Sequence, residues 1–420
     1  MANYSKNIKD LNISKILLIN YLGEVVDITA LFVQMNIYES IFSNCITGDI
    51  IINDGTNLLN NFPIICQEKI CVSFSNPSFK NKTLYFNVTH ITDIKNSVNN
   101  DKVQNYILHF TSKEFIKNKM SYISRCLKGK TDDVVLDILT KDWGLSYKEG
   151  YKIEKSDSYL NFIPPYWTPF EIINYISNRS IPENRKHPTY LFYQDFDNYN
   201  FISYDSLLEG EIKEKFHYMP ENLPISFNMD DRSKNINRYD ICKYPNLISM
   251  LDSNMLANQY LEIDLINKKY NTNKFEYAKD FDNFSTLYNN SIIPTKNLDN
   301  FNYGDACGMN VVYNFPFEKD YKRYNKWFLY RKSWLQQIQN LKIKLETTEN
   351  TDRRIGDLVE FNIPSRERID NHMKYAEYIT GKYIISKIRH TIGSNSMGTA
   401  TLELIKDSFS TKLPEEKNNG

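Results

Sequence analysis

The sequence predicts an α+β protein that is mainly β, with two β-rich ends and a helical and mixed insert between them. Apolar and polar residues alternate in short runs up to about residue 112 and again beyond about residue 340, which is the period of strands with one buried face. Helix signals are concentrated between these regions. The hydrophobic fraction is 41%, and Gly and Pro number only 14 each, which excludes collagen-like, linker-like and disordered classes.

The first 112 residues contain four alternating runs, each with its apolar members on one side of a predicted strand. A turn at Asn53-Asp54-Gly55 ends a further apolar run. Short strands separated by turn signals predict a sandwich or a barrel. The apolar members of the four runs are Val33, Met35 and Ile37; Ile70, Val72 and Phe74; Leu84, Phe86, Val88 and His90; and Tyr106, Leu108 and Phe110.

Three helices are predicted after residue 112, the first over about 113–128. The second begins with Thr131 or Asp132 as its N-cap and ends at Gly144, a residue suited to a left-handed cap. The third begins at TPFE (168–171), which places an N-cap, a first-turn proline and a capping-box glutamate in order. The apolar sides of the second and third helices comprise Val135, Ile138 and Leu139, and Ile172, Ile173 and Ile176.

The middle of the chain mixes extended and helical signals. Residues 190–194 and 199–204 predict a hairpin joined by DFDN (195–198). A polar region covers about 220–240, and residues 245–282 begin as a helix and continue extended. Residues 284–305 are predicted to be a loop.

The C-terminal region is predicted to open with a helix over about 321–339 and to close with strands 383–392 and 399–405 around Gly393-Ser394-Asn395. Residues 411–420 are polar and predicted to fray. Two alternating runs precede the closing strands, Leu341, Ile343 and Leu345, and Val359, Phe361 and Ile363. The basic residues of the helix are predicted to form a solvated face: Lys322, Arg323, Lys326, Arg331 and Lys332.

The charge balance argues against a protein that grips nucleic acid. The chain has 51 basic and 51 acidic residues, whereas phosphate binding usually requires a basic patch. The first residues, MANYSKNIKD, lack the pattern of a signal peptide, and no apolar run approaches the roughly 18 residues of a membrane span. We therefore expect a soluble protein made in the cytoplasm, without a membrane anchor.

Histidines and cysteines show no metal-binding spacing, since CxxC, HxH and HExxH patterns do not occur. We expect the cysteines to be free buried thiols, and His90 and His390 to be hydrogen-bonded core or interface histidines. The six histidines are His90, His109, His187, His217, His372 and His390. The six cysteines are Cys45, Cys66, Cys71, Cys126, Cys242 and Cys307.

Motifs for nucleotide binding and nucleophilic catalysis are also missing from the sequence. DFDNYN (195–200) resembles a calcium loop but fails at Tyr199, Asn200 and Ser206, so a tight hairpin turn is the better interpretation. GDACG (304–308) is interpreted as a loop entering a strand. We predict no catalytic, cofactor-binding or metal-binding residue, no cofactor and no enzymatic activity. An aromatic fraction of 14% also suits stacking on sugars, so a carbohydrate-active enzyme or sugar-binding module is the alternative to a structural role.

Three blocks of sequence, in this order, resemble the central hub protein of T-even-type bacteriophage baseplates, and the last block also resembles the related spike proteins of type VI secretion. Cys66 departs from the pattern, because the family often has Gly there. Residues 230–305 match least well, and their role is not assigned. The first block is MNIYESIF (35–42), GDI (48–50) and PI (63–64), the second is YWTPFE (166–171) and YDSLL (204–208), and the third is IGDLVEF (355–361), GKYII (381–385), IRH (388–390) and LEL (402–404).

The resemblance implies two antiparallel β-barrels like those of the tail tube, at 1–112 and 311–410. It implies a helical insert with a hairpin at 113–210, a mixed α/β linking region at 211–310 and a disordered tail at 411–420. Members of the family are homotrimers in the tail baseplate of the virion, assembled in the host cytoplasm. They join the hexameric tail tube to the trimeric central spike.

The resemblance also implies partners. These are the tail tube protein, other baseplate proteins and a central spike, which in some cases carries a lysozyme domain. The tape-measure protein and DNA pass transiently through the lumen. A spike-type protein of a related injection machine would continue into a long β-helical needle, whereas this sequence stops soon after its last predicted barrel.

Overall fold

The computed structural model describes residues 12–76, 79–97, 100–144, 150–183, 189–218, 234–293, 308–313, 321–350, 352–369, 372–394 and 398–414. Strands form most of the regular structure in these ranges, and most are antiparallel, so the prediction of a mainly β protein is confirmed. Among the helices of the described ranges, none combines the length and the apolar character that a membrane crossing requires.

The first part of the chain is a β unit with its own core. Met35, Ile37, Ile50, Val72 and Leu108 are fully buried in that core. We call this region the first β unit. Its elements are β1 (Asn12–Ile19), β2 (Val25–Asp27), β3 (Phe32–Ser40), β4 (Thr47–Asp54), α1 (Leu58–Asn61), β5 (Lys69–Asn76), β6 (Phe79–Ser97) and β7 (Asn100–Ser112).

Two predictions in this unit are wrong because of irregular register. Val33 is 44% exposed, since a register shift between Phe32 and Gln34 takes it off the buried face of β3. His90 is exposed rather than apolar-facing, since a similar shift follows Val88 in β6. An extra residue in one strand sends the following side chain to the other face, and alternation in the sequence gives no sign of it.

The insert follows the first β unit and has a separate core of helices and short strands. We call its β11–β12 pair the insert hairpin. Its elements are α2 (Lys113–Met120), β8 (Leu127–Lys130), α3 (Thr131–Asp137) with a π-helical turn over Ile138–Asp142, β9 (Tyr151–Ile153), β10 (Tyr159–Phe162), α4 (Pro169–Ser177), β11 (Tyr190–Gln194), β12 (Tyr199–Ser203) and α5 (Tyr204–Leu208).

Two helix boundaries in the insert differ from the prediction. The first helix ends at Met120 rather than near residue 128, because β8 pairs with β10 and tertiary pairing overrides local propensity. The second helix has Lys130 at its N-cap position. The Thr131 hydroxyl instead lies 2.6 Å from that of Ser156, inside the core.

Other features of the insert are confirmed. Thr168 and Glu171 form the predicted capping box, and the Thr168 amide donates to the Glu171 carboxylate over 2.8 Å. Gly144 has φ +64, the left-handed conformation expected of a cap residue. The predicted apolar sides of both helices are fully buried. The strand residues of the insert hairpin are buried except Gln194 and Ile202, which are half-buried.

The next region links the insert to the C-terminal part. The predicted helix followed by extended structure is confirmed at 247–276, but residues 277–282, predicted to be extended, are helical. Residues 219–233 of the polar region and 294–305 of the predicted loop lie outside the described residues, as do His187 and Cys307. The elements are β13 (Ile212–His217), β14 (Ile236–Lys243), α6 (Leu247–Asp252), β15 (Ala257–Asp264), β16 (Lys269–Glu276), α7 (Tyr277–Asp280) with a 3-10 turn at Phe281–Asn283, and β17 (Gly308–Tyr313).

The C-terminal part contains the last β unit, β18–β23, whose predicted helix and strands are confirmed. Arg331 does not lie on a solvated face, since it is only 8% exposed and donates to Asn178 over 3.1 Å. Asn395 and residues 415–420 lie outside the described residues. The elements are α8 (Tyr321–Gln337), β18 (Leu341–Thr348), β19 (Leu358–Asn362), β20 (Pro364–Ile369), β21 (His372–Tyr375), β22 (Gly381–Gly393) and β23 (Gly398–Lys406).

One sheet of 13 strands runs through both β units. Its order is β14-β18-β23-β22-β3-β4-β7-β6-β5-β1-β2, and β19 joins β13 to β22 at the side. The β13–β19, β9–β12 and β15–β17 pairs are parallel, a feature that the sequence did not predict. The β3–β22 pair therefore joins the first β unit to the last.

Candidate functional site: the joint between the two β units

The β3–β22 pair, which we call the joint, connects chain segments about 350 residues apart. Residues 34–40 of β3 lie antiparallel to residues 387–393 of β22. Both strands are central in the sheet, because β4 and β23 pair with their outer edges. The joint thus carries a polar face on one side of the sheet and a buried face on the other.

The polar face is held by a cross-strand hydrogen-bond network centred on Asn36. Its side-chain oxygen accepts hydrogen bonds from Arg389 Nε and Nη2, at 3.2 and 3.0 Å, and from the Thr391 hydroxyl at 3.1 Å. Its amide nitrogen donates to Asp49 over 2.7 Å, and the Tyr38 hydroxyl donates to the same carboxylate over 2.8 Å. Three strands are therefore linked by side chains as well as by backbone.

A groove of about 410 Å³ lies on the same face, beside this network. Charges of both signs line it, and Lys387 pairs with Glu403 over 3.1 Å. The Ser386 hydroxyl donates to the other oxygen of Glu403 over 2.8 Å. This arrangement favours a hydrated surface of balanced charge over a reactive centre.

The buried face of the joint holds one histidine between two glutamates. His390 Nε2 lies 2.7 Å from Glu39 Oε1, and His390 Nδ1 lies 2.7 Å from Glu349 Oε1. All three side chains are at most 3% exposed. Glu39 belongs to β3, His390 to β22, and Glu349 directly follows β18. We call these residues the Glu–His–Glu cluster.

The electrostatics of the cluster favour a charged imidazole. Burial lowers the pKa of His390, but the charges and hydrogen bonds of Glu349 and Glu39 outweigh that effect and raise it to about 9. Burial also raises the pKa of Glu39, against the opposing effect of His390. The prediction that His390 is a hydrogen-bonded core histidine is confirmed.

The insert hairpin reaches the same cluster. The Phe196 ring lies against the His390 ring with centroids 4.8 Å apart, and Arg354 pairs with Asp197 over 2.5 Å. The Asp195 carboxylate accepts from the amides of Asp197 and Asn198 at 2.7 and 2.6 Å. The interpretation of this segment as a tight hairpin turn is thereby confirmed. Three parts of the chain meet at His390.

A second buried charge lies at the end of β23. The Lys406 side chain is fully buried, and its Nζ donates to the carbonyl oxygens of Thr380 and Tyr378 at 3.0 and 3.4 Å. The rings of Tyr288 and Tyr383 lie 5.1 and 5.2 Å away. Burial lowers the pKa of Lys406 to about 7. The sequence offered no sign of this site, because Lys406 is the last residue of an ordinary alternating strand.

Among the described residues, the remaining histidines and cysteines do not converge on a site. His90 and His109 stack with centroids 4.2 Å apart on the exposed side of β6 and β7. Cys45 is buried as predicted, but Cys126 and Cys242 are exposed, so the expectation of uniformly buried thiols is wrong. Within the described ranges, no group of three or more His, Cys, Asp or Glu side chains is arranged to hold a metal ion.

The signal that could have located the Glu–His–Glu cluster is a set of charged residues at apolar strand positions. Glu39 and His390 each continue the buried face of a strand, where charged residues rarely occur without partners. Their pairing with each other depends on the β3–β22 register, and their pairing with Glu349 depends on a loop. Neither can be read from spacing.

The chain resembles two solved tail proteins over almost its whole length. A tail protein from Neisseria meningitidis MC58 superposes with a TM-score of 0.58 at 11% identity, covering 94% of this chain and 97% of that chain. The 43 kDa tail protein of prophage MuSo2 from Shewanella oneidensis gives a TM-score of 0.52 at 10% identity, covering 94% and 100%. No protein-family model and no curated protein sequence matches the chain. At these identities the likeness establishes a shared fold.

Proposed function

We propose that this chain is a structural component of a phage virion, the homotrimeric central hub of the baseplate, which joins the hexameric tail tube to the trimeric central spike. The observation that carries the proposal is the full-length likeness to two tail proteins. One sheet passing through two β units supports it, because three such chains place six units around one axis. A three-fold ring of six units matches a six-fold tube on one side and a three-fold spike on the other.

The proposal assigns 1–112 and 311–410 as the two tube-like barrels. Residues 113–210 are the helical insert and 211–310 the linking region. Of the tail expected from residue 411, Leu413 packs against the core of the last β unit. The separate cores of the first β unit and of the insert support the first boundary. The core of the last β unit also includes residues of the linking region, such as Met255 and Phe275, which therefore buttress the second barrel.

The two ends of the sheet support subunit contacts. Within the part of the chain that the structure describes, the path ends at β14 on one side and at the three-residue β2 on the other. An open sheet edge offers unpaired backbone groups to another chain. Exposed apolar side chains lie near both ends, Ile241 and Tyr244 near β14, and Leu22 and Val25 near β2. We propose that the β14 end of one copy meets the β2 end of the next, a head-to-tail contact that closes after three copies.

The polar face of the joint is the proposed wall of the lumen. Its side chains carry both signs of charge, with Arg389 and Lys387 balanced by Asp49 and Glu403. Such a wall neither grips phosphate nor offers apolar adhesion, so DNA and the tape-measure protein can pass. The proposed partners are the tail tube protein, the central spike, which in some systems carries a lysozyme domain, and other baseplate proteins. The proposed role is structural rather than enzymatic.

A sugar-binding role is the second candidate, supported by an exposed aromatic pair. Tyr122 and Tyr166 are 51% and 68% exposed and stack with centroids 4.8 Å apart. Stacking occupies one face of each ring, which leaves the outer faces for a sugar. Binding to cell-wall glycans that is lost in Tyr166→Ala would favour this role over the hub.

The hub proposal is tested by the solution mass of the full chain, measured by light scattering after gel filtration with and without the spike protein. We expect a mass near three times 49.6 kDa. Ile241→Lys at the β14 end should reduce trimer formation, whereas Ile163→Lys, a more exposed apolar position away from the sheet ends, should not. A monomer under both conditions contradicts the proposal.

A further inference from the structure

Three segments from different parts of the chain converge on His390: β3 through Glu39, the end of β18 through Glu349, and the insert hairpin through Phe196. The two glutamate contacts are both 2.7 Å long and buried. The second carboxylate oxygens of Glu39 and Glu349 are buried and have no hydrogen-bond partner within the described residues. Each carboxylate therefore depends on the imidazole for a buried polar contact.

The two contacts require two protons. A carboxylate only accepts hydrogen bonds, so both ring nitrogens of His390 must donate, or one glutamate must carry the second proton itself. These alternatives contain the same number of protons and differ only in where one of them resides. Removal of one proton leaves an acceptor facing an acceptor in a buried site, which costs the desolvation of an unpaired group.

We propose that the Glu–His–Glu cluster is a protonation-dependent clasp, which holds the two β units and the insert hairpin together and loosens when the cluster loses one proton. The clasp is independent of the proposed hub role, because it concerns contacts within one chain. It makes the joint tolerant of acid and sensitive to alkali.

The other titratable groups around the cluster are engaged locally. Asp195 is held by its own turn, and Asp197 is paired with Arg354. Asp357 accepts from the Arg354 backbone amide over 2.9 Å. Arg389 lies on the opposite face and donates to Asn36. Tyr193, whose pKa is raised by burial and by Asp195, stays neutral across the relevant range.

The direction of the pH dependence follows from His390. Its folded pKa of about 9 exceeds the unfolded value of 6.5, so its stabilising contribution is fully present below pH 6.5 and is lost as pH rises through about 9. The raised pKa of Glu39 acts in the same direction, since protonation in acid neutralises a buried charge and leaves its other oxygen free to accept.

The test is denaturant unfolding of the full chain between pH 6 and pH 10, for the wild type and for His390→Gln. Both proteins contain all the other titratable groups, so the contributions of those groups cancel when the two unfolding free energies are subtracted. We expect the unfolding equilibrium constant of the variant, divided by that of the wild type, to fall between pH 7 and 9. The fall should be up to about tenfold per pH unit, roughly 100-fold in total. His109→Gln, at a partly buried histidine on β7 outside the cluster, should show the wild-type pH profile.

Hydrogen exchange supplies a local readout that a merely structural role would not change. After correction for intrinsic rates, protection of the β3 and β22 amides should fall between pH 8 and 10, while the amides of α4 stay protected. If His390→Gln does not fold, Glu349→Gln preserves the shape and supplies an amide that can donate to the neutral imidazole, so the protection of the joint should no longer fall between pH 8 and 10. A wild-type joint equally protected at pH 7 and pH 10 overturns the proposal, as does a difference from the variant that is independent of pH.

Discussion

Asn44 and Asn174 exchange side-chain amide hydrogen bonds across the boundary between the first β unit and the insert. Asn44 Nδ2 donates to Asn174 Oδ1 over 2.9 Å, and Asn174 Nδ2 donates to Asn44 Oδ1 over 3.1 Å. Asn44 also donates to the carbonyl oxygen of Phe192 over 3.2 Å. The loop after β3 is thereby attached to helix α4 and to the insert hairpin at once.

This amide pair should be measurable as a coupling energy. In a double-mutant cycle of Asn44→Ala and Asn174→Ala, we expect a coupling of about 0.5–1.5 kcal/mol in the free energy of unfolding. Asn60→Ala combined with Asn174→Ala is the control, since Asn60 bonds only within its own turn. A coupling within error of the control would show that solvent replaces the pair at no cost.

A side chain at Gly356 should destabilise the protein more than one at a glycine of similar φ in open space. It has φ +86, and a Cβ there would lie 2.8 Å from the Tyr193 hydroxyl and 3.1 Å from Leu207. Gly23 is a matched control, since its φ is +85 but no atom lies within 4 Å of a Cβ. We expect Gly23→Ala to cost about 1 kcal/mol of unfolding free energy and Gly356→Ala about 1–3 kcal/mol more. If urea denaturation gave equal losses of unfolding free energy for the two variants, the Tyr193 side chain would have to move aside without cost.

Cys66 occupies a left-handed backbone position, with φ +66, where the resembling family often has Gly. A positive φ of this size is a conformation that glycine adopts more readily than residues with a Cβ. We expect Cys66→Gly to be about 1 kcal/mol more stable than Cys66→Ala, because only glycine adopts this conformation freely. At Cys71, within β5, the order should reverse. Thermal unfolding of the four variants checks both orders, and the same order at both sites would refute the argument.

Lys406 predicts a pH dependence opposite to that of His390. Its folded pKa of about 7 lies below the ordinary 10.5, so the unfolded chain binds more protons between these values and stability rises with pH there. Relative to Lys406→Met, the wild type should gain up to about 1.4 kcal/mol of unfolding free energy per pH unit between pH 7 and 10. Lys387→Met, at a half-exposed lysine of the same sheet, should show no such trend. If the unfolding free energies of the wild type and Lys406→Met changed with pH in parallel, the prediction of a lowered pKa for Lys406 would be contradicted.

Local signals predicted much of the fold. The capping box at Thr168 and Glu171, the insert hairpin and the closing strands β22 and β23 depend on residues close in sequence, and all are confirmed. Where neighbours distant in sequence decide the structure, prediction failed. The first helix stops at Met120 because β8 finds a partner in β10, about 30 residues on.

The candidate site was predicted only in part. The histidine at position 390 was expected in a core, but nothing in the spacing connected it with Glu39 and Glu349. Bulges caused a second kind of error in the prediction. The apolar–polar alternation is regular in the sequence up to His90, but a register shift interrupts it in the strand. A register shift of one residue changes which face a side chain occupies, and its cause lies in the partner strand.

The pairing of β3 with β22 has a consequence for biosynthesis. Glu39 leaves the ribosome long before its partner His390, which follows 351 positions later. At about 5–20 residues per second, β3 waits on the order of 20–70 s with one edge uncovered. Folding that depends on such distant contacts is slow, and an open strand edge invites pairing with other nascent chains. The yield of native protein should therefore depend on translation rate and on chaperones that cover the waiting edge.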